Sequence, residues 1–124
     1  MCIRDRAYAA TGKNNKAIGQ LQKAVQLNPH DAKSLSLLGE LYAIEEEGSE
    51  IALSFCNQAV ALDDHSWDNW YRLANVKYLA GDFAGAAAAI KESLRRNRKA
   101  VDAIFLSGKI QETTGKIKLA KKKV

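Results

Sequence analysis

Two cysteines, Cys2 and Cys56, and two histidines, His30 and His65, are all that 124 residues provide of those types. That scarcity removes several kinds of chemistry at once. Two cysteines build no disulfide framework and indicate no redox compartment, and neither histidine lies in a His or Cys spacing typical of zinc. No metal and no cofactor is therefore expected. Long apolar runs are missing too: nothing approaches the roughly 20 residues of a membrane-spanning helix, and Phe83 to Ile90 is short, Ala-rich and bounded by Asp82 and Lys91. No Gly-rich phosphate loop, nucleophile elbow or paired-carboxylate constellation occurs, so the roles of a catalytic site stand unfilled. The chain reads as non-catalytic.

What the sequence does contain is a pattern that returns every 34 or 35 residues. Gly39, Ala74 and Gly108 occupy one slot; Ala17, Ala52, Ala86 and Ala120 occupy another. Tyr8 to Tyr42 is 34 residues, Ala17 to Ala52 and Gly39 to Ala74 are 35, and Ala52 to Ala86 and Ala86 to Ala120 are 34. One extra residue thus falls between Tyr42 and Ala52, where Glu45-Glu46-Glu47-Gly48-Ser49 offers a turn that absorbs it without shifting a helix face. A period of this size marks stacked two-helix units, whose usual work is holding another protein. With 47% hydrophobic and 27% charged residues, the composition is that of an ordinary globular domain.

Elementary packing explains the slots. A glycine inside a helix costs about 1 kcal/mol relative to alanine, so Gly39 and Gly108 predict close approach of a neighbouring helix. Ala17, Ala52, Ala86 and Ala120 serve the same end from the second helix of each unit, while Leu38, Tyr42, Phe55, Trp70, Leu73, Phe83 and Ile90 fill the spaces between. The spacing predicts eight helices, near residues 3–11, 14–27, 32–46, 50–62, 67–80, 83–96, 100–114 and 116–123, with hairpin turns at Gly12, Gly48, Gly81 and Gly115. Asp31 and Ser66 are the expected N-caps. Cys56 falls in a packing slot and reads as a small buried hydrophobe. His30 and His65 sit in corresponding turns beside acidic residues, where solvation of a helix start explains Asp63-Asp64-His65 better than a cation site.

Within each unit the residues resemble the tetratricopeptide repeat, whose pattern runs W-x2-L-G-x2-Y, then A-x3-F, then P. Ala17, Leu21, Ala24 and Pro29 close a first copy; Leu35, Leu38, Gly39, Tyr42, Ala52, Cys56 and Ala59 form the next. Trp70, Leu73, Ala74, Gly81, Phe83, Ala86, Ile90 and Ser93 form a third, with Lys77 in the Tyr slot and Tyr78 after it. The last copy is degenerate: Ile104, Ser107, Gly108 and Gln111, then Gly115 and Ala120. The resemblance implies an all-α, right-handed α-solenoid of antiparallel helix pairs, about 3.5 repeats long, with units near 7–31, 32–65, 66–99 and 100–124.

It also implies a protein–protein interaction scaffold in which the first helix of each unit lines a concave groove for a peptide or protein segment. The positions so marked are Ser36, Glu40 and Ala43, then Tyr71, Asn75 and Tyr78, then Phe105, Lys109 and Glu112, with Lys33, Arg72 and Leu106 bordering them. Asn75 is the sharpest of these, because an amide donates to and accepts from an extended backbone at once. Tyr71 and Tyr78 offer broad amphipathic contact, and Arg72 a partner for a carboxylate. The two-carboxylate clamp of chaperone-tail binders, which needs Lys and Asn in its first unit, is absent: Ser36 and Glu40 stand there, and one unit later Tyr71 and Asn75 are followed by Leu106. An alternative is the substrate-recruiting region of a larger enzyme, such as a transferase. RNA binding by a related 35-residue helical repeat is disfavoured by the mixed 34 and 35 spacing.

Charge is uneven along the chain. Residues 1–90 carry eight Lys or Arg against eleven Asp or Glu, a net −3, whereas residues 91–124 carry eleven against three, a net +8. A basic end can attract acidic protein, nucleic acid or anionic lipid, but a solvated outer face explains it here and nucleic acid is not the expected partner. Self-association through exposed terminal repeats is a further expectation, since a terminal unit lacks a neighbour.

The ends invite their own reading. Met1-Cys2-Ile3-Arg4-Asp5-Arg6 resembles the translation of a transposon-end adapter from shotgun library preparation, which makes the rest a fragment of a longer, bacterial protein. At the other end, the segment from Gly115 to Val124 is shorter than its counterparts, and Val124 falls in the slot of Leu21, Cys56 and Ile90. The compartment stays open, with the cytoplasm as default.

Overall fold

A computed structural model of the chain describes residues 16–44 and 49–123, the side chains of the second stretch over 50–119. The expected first helix, the turns at Gly12 and Gly48, the inserted residue of the acidic loop, the adapter-like Met1 to Arg6 and the side chain of Ala120 lie outside the described residues. Within them are six helices and no strand: α1 (16–27), α2 (Ala32–Ile44), α3 (Ser49–Leu62), α4 (Trp67–Leu79), α5 (Phe83–Arg96) and α6 (Val101–Lys123). α2 packs on α3 and α4 on α5, the first helices α2, α4 and α6 follow one another, and α3 and α5 each touch the first helix of the next unit. This is the all-α solenoid of helix pairs that the periodicity predicts.

Small residues set the spacing of the pairs. A Cβ on Gly39 would lie 2.6 Å from Cys56 Sγ, 2.8 Å from the Ala52 carbonyl oxygen and 3.2 Å from Phe55 Cβ. Ala52, Cys56, Ala74 and Ala86 are fully buried, and Leu73, Val76, Ala89, Ile90, Ala103, Leu106 and Ile110 are among the core residues packed with them. Cys56 is the small buried hydrophobe expected; burial pushes its thiol up to about 12, which leaves it unreactive as a nucleophile. Tyr42 stacks on Phe55 with ring centroids 5.7 Å apart, and Tyr78 meets Phe83 edge-on at 5.5 Å.

The boundaries between units share one device. Asn28 Oδ1 accepts the His30 N–H at 3.1 Å, Asp63 Oδ1 that of His65 at 3.2 Å, and Asn97 Oδ1 that of Lys99 at 3.1 Å. Side-chain oxygens one repeat apart thus turn the chain between units. Asp31 caps α2 as expected, accepting the Ser34 N–H at 3.3 Å and the Ser34 hydroxyl at 2.7 Å, and the Ser34 bonds hold its carboxyl below the ordinary value. Ser66 does not cap α4. It occupies the N-cap position, but its side chain accepts no N–H of the first turn; its hydroxyl donates instead to the Asp68 carboxylate.

The last unit departs from expectation. Helices near 100–114 and 116–123 are one helix, α6, which runs through Gly115 without a turn. At Gly81 the turn forms because the backbone takes φ +88°, and Asp82 then caps α5 by accepting the Gly85 N–H at 3.0 Å. Gly115 is followed by Lys116, which has no oxygen to cap a new helix; instead its Nζ pairs with Glu112 at 3.1 Å across the expected break. Gly108 also differs from Gly39, since nothing lies within 4 Å of where its Cβ would be. Among the described residues, no neighbour approaches it.

The two glycines therefore respond oppositely to a methyl group. Gly39→Ala places a Cβ against backbone and sulfur, an overpacking cost of about 1–3 kcal/mol that exceeds the roughly 1 kcal/mol of recovered helix propensity. Gly108→Ala meets no atom and gains up to about 1 kcal/mol. Urea unfolding should show a lower midpoint for the first and a higher one for the second; shifts of the same sign would refute the difference in packing.

Candidate functional site

First helices of successive units lie side by side, so side chains one repeat apart meet. Arg72 Nη1 donates to Ser36 Oγ at 3.0 Å, and Asn75 Nδ2 donates to Glu40 Oε2 at 3.0 Å, both joining α4 to α2. The Tyr78 hydroxyl shares a 3.0 Å hydrogen bond with Thr113 Oγ1, joining α4 to α6. Three polar contacts thus form a ladder along α2, α4 and α6. It connects Glu40, Arg72, Asn75 and Tyr78 along one face, with Ser36 buried beneath Arg72's end of it.

Several expected groups are already engaged. Ser36, expected to line the groove, is wholly buried: its hydroxyl donates to the Lys33 carbonyl at 2.9 Å and accepts from Arg72. Leu106 is likewise buried in the core. Arg72 also pairs with Asp68 Oδ2 at 3.1 Å, an ion pair with side-chain exposures of 14% and 26%. Asn75 spends a donor on Glu40. What faces solvent is chiefly Lys33, Phe105, Lys109 and Glu112, with Glu40, Ala43, Tyr71, Asn75 and Tyr78 half-buried beside them.

Aromatic groups dominate the α4 to α6 end. Lys109 Nζ lies 5.5 Å from the Tyr78 ring centroid and 5.6 Å from that of Phe105, distances at which ring and cation attract. Tyr71 leans on Trp67 with centroids 6.1 Å apart. Burial raises the Tyr71 phenol above its ordinary pKa, the carboxylates of Glu40 and Asp102 adding to the rise and Arg72 opposing it. At neutral pH the phenol is a neutral hydrogen-bonding group. The arrangement can bind, through amide, carboxylate, ammonium and ring faces, but it positions no nucleophile beside a base.

Among the described residues, no cluster of three His, Cys, Asp or Glu could hold a metal, and no helix is long and apolar enough to cross a membrane. Thr113 and Asp68 belong to the site although the repeat motif does not mark them. Their signal was available in part: Tyr78 and Thr113 are 35 residues apart, and Asp68 stands four before Arg72.

Two family models match this chain, one described as TPR repeat over residues 6–43 and one as Tetratricopeptide repeat over residues 71–120. The chain belongs to the tetratricopeptide repeat family. Among curated proteins, this tetratricopeptide repeat chain is 38% identical over 72 residues to cellulose synthase operon protein C of Escherichia coli K12, covering 56% of the chain and 6% of the relative's length. Among solved structures, the Sgt2 TPR domain of Aspergillus fumigatus matches with TM-score 0.78 and 18% identity, over 91% of this chain and 76% of that one. The first TPR of Spaghetti (RPAP3), bound to the HSP90 peptide SRMEEVD, matches with TM-score 0.73 and 20% identity, over 90% and 88%. At that identity the structures establish the fold. The chain therefore has the architecture of a protein-interaction scaffold in general.

Arg72 is the group on which the ladder turns, since it joins Ser36 and Asp68 at once. Burial raises the Asp68 carboxyl, but the Ser66 hydroxyl and the Arg72 guanidinium outweigh it and hold the carboxyl below its ordinary 3.8. A depressed carboxyl contributes stability that is present above the unfolded pKa and lost as pH falls through the folded one. Acid titration of the melting temperature should therefore show a steeper fall in the native chain than in Asp68→Asn. Equal slopes would remove the pair from the account of stability.

Proposed function

We propose that the chain is a non-catalytic scaffold that binds a peptide or protein segment along the face formed by α2, α4 and α6. The observation that carries this reading is the ladder Ser36–Arg72, Glu40–Asn75 and Tyr78–Thr113. It braces three first helices into one surface before any ligand arrives, which lowers the ordering cost of binding. On that surface Lys33, Tyr71, Asn75, Phe105 and Lys109 supply contacts of several chemical kinds, suited to an extended segment rather than a small molecule.

The RPAP3 domain that resembles this fold holds an HSP90 peptide rich in acidic residues. Here Glu40 stands on the groove face and accepts from Asn75, and Ser36 is buried where a clamp would place a lysine. A carboxylate in that position repels an acidic terminus, so a chaperone tail is not the proposed client. A segment that meets Glu40 with a donor and Lys109 with an acceptor fits better.

A second reading is favoured by the match to cellulose synthase operon protein C, a much longer protein of which this chain aligns with 6%. In it the same face would recruit substrate or partner for a larger enzyme. Both readings place binding on α2, α4 and α6.

Peptide display against the purified chain, followed by fluorescence anisotropy with a selected peptide, tests the assignment. Asn75→Ala and Lys109→Ala should each weaken binding about tenfold, the affinity equivalent of about 1.4 kcal/mol, while Gln58→Ala on α3 leaves it unchanged. Peptides indifferent to both groove variants would refute this face as the binding site.

A further inference from the structure

α4 and α6 lie side by side, and what they bring together at one point along the groove they bring together again seven residues earlier. Lys109 stands 31 residues after Tyr78, and its Nζ lies 5.5 Å from the Tyr78 ring centroid. Asp102 stands 31 residues after Tyr71, seven residues back on each helix. About two helical turns from a ring that carries an ammonium, the same geometry therefore sets a carboxylate beside a ring. Burial raises the Tyr71 phenol first, and the carboxylates of Glu40 and Asp102 add to that rise. Glu40 reaches this place from α2, where Asn75, one turn after Tyr71, donates to it at 3.0 Å. Trp67, one turn before Tyr71, leans on its ring at 6.1 Å. Helices on both sides of α4 thus contribute an acid to one pair of rings.

Neither acid has a cation. In the preceding unit Asp68 holds the slot that Asp102 holds here, and its partners Ser66 and Arg72 come from its own unit. Their in-phase counterparts are Ala100 and Leu106, both apolar and buried, so Asp102 lacks those partners for a reason written into its own unit. Glu40 accepts from a neutral amide. Among the described residues, neither carboxylate pairs with Lys, Arg or His. The rings repeat the point: Arg96 lies 4.9 Å from the Trp70 ring, Lys109 serves Tyr78 and Phe105, and no cation lies over Trp67 or Tyr71 among the described residues. Arg72, the neighbour of Tyr71 in sequence, is spent on Ser36 and Asp68.

We propose that the place bounded by Glu40, Trp67, Tyr71 and Asp102 seats a basic side chain, arginine in first place, of the segment that the groove binds. This rests on the reading of α2, α4 and α6 as the binding face and names the chemistry of its client. A guanidinium suits the seat because its plane stacks on a ring while its fork of N–H donors reaches carboxylates. Charge complementarity selects the same occupant: residues 1–90 carry a net −3, so the groove is acidic at Tyr71 although the chain is basic as a whole. An acidic side chain at this point would meet two like charges.

Peptide display against the native chain should return segments in which Arg or Lys recurs at one position. Replacing that residue by citrulline, which keeps the shape of arginine and loses the charge, should weaken binding about tenfold by fluorescence anisotropy at low salt. On protein carrying Glu40→Gln with Asp102→Asn, the arginine and citrulline forms should bind alike. Gln keeps an acceptor for Asn75, so the circular-dichroism melt should not move, and Asp102→Asn alone, an exposed change, should already narrow the difference. Peptides that need Asn75 and Lys109 yet tolerate citrulline would overturn the basic seat and leave the groove standing. A citrulline penalty that persists undiminished on the neutralised protein would do the same. Peptides indifferent to both Asn75→Ala and Lys109→Ala would instead remove the groove, and the seat with it.

Discussion

Close crossing of helices at small residues is the constraint on which the rest depends. At Gly39, α2 and α3 approach until no side chain fits between them, and Ala52, Ala74 and Ala86 sit fully buried around the same crossings. A larger residue in one slot would separate the pair and, through it, shift the first helix of the next unit. Because, from α2 to α6, each unit touches only its neighbours among the described residues, that spacing is transmitted along the array by repetition. The period of 34 or 35 residues is thus the length of chain needed to bring the next small residue to the next crossing.

Spacing in turn decides which polar groups meet. With first helices held side by side, residues about one repeat apart come within hydrogen-bond distance, as Glu40 and Asn75 do at 3.0 Å. The same groups that the repeat pattern marks as ligand contacts therefore brace the unliganded surface. Arg72 illustrates the consequence: its guanidinium satisfies the buried Ser36 hydroxyl and the Asp68 carboxylate, so it holds the face in shape and has little left to offer a client. Exposed Phe105 and Lys109, which make fewer commitments, are the more available groups at the α6 end.

The architecture was legible in the sequence because packing slots repeat in phase, and phase survives the substitution of Lys77 into the Tyr slot. Gly39 and Cys56 were readable for the same reason. What was not legible depends on local competition that a slot pattern does not record. Gly115 lies one repeat after Gly81, yet a glycine makes a turn only if the next residue can start a helix; Asp82 can and Lys116 cannot. Ser66 has the right side chain for a cap, but its hydroxyl turns to donate to Asp68 rather than to accept a first-turn N–H. The turns at Asn28, Asp63 and Asn97 were present in phase in the sequence and carried no weight, because two residue types share the one role. Within the candidate site, exposure was the weak point: Ser36 has a groove position by register, yet it is buried and bonded to an arginine from the next unit.

An array of this kind has two sorts of surface, and they differ in how they are made. The face of α2, α4 and α6 exists because units repeat, so it is braced from within and its chemistry changes gradually along the row. The hollow between α5 and α6 is made instead by the second helix of one unit and the first helix of the next. Apolar lining in such a place follows from the repeat itself, since Ile90 and Ile110 must be apolar for the core. The charges at its border do not follow from the repeat. Lys91 and Arg98 serve no packing role and pair with no acid among the described residues, so they are free to differ from unit to unit. At the braced face no such division exists, because Glu40 and Asn75 both fix the surface and lie on it.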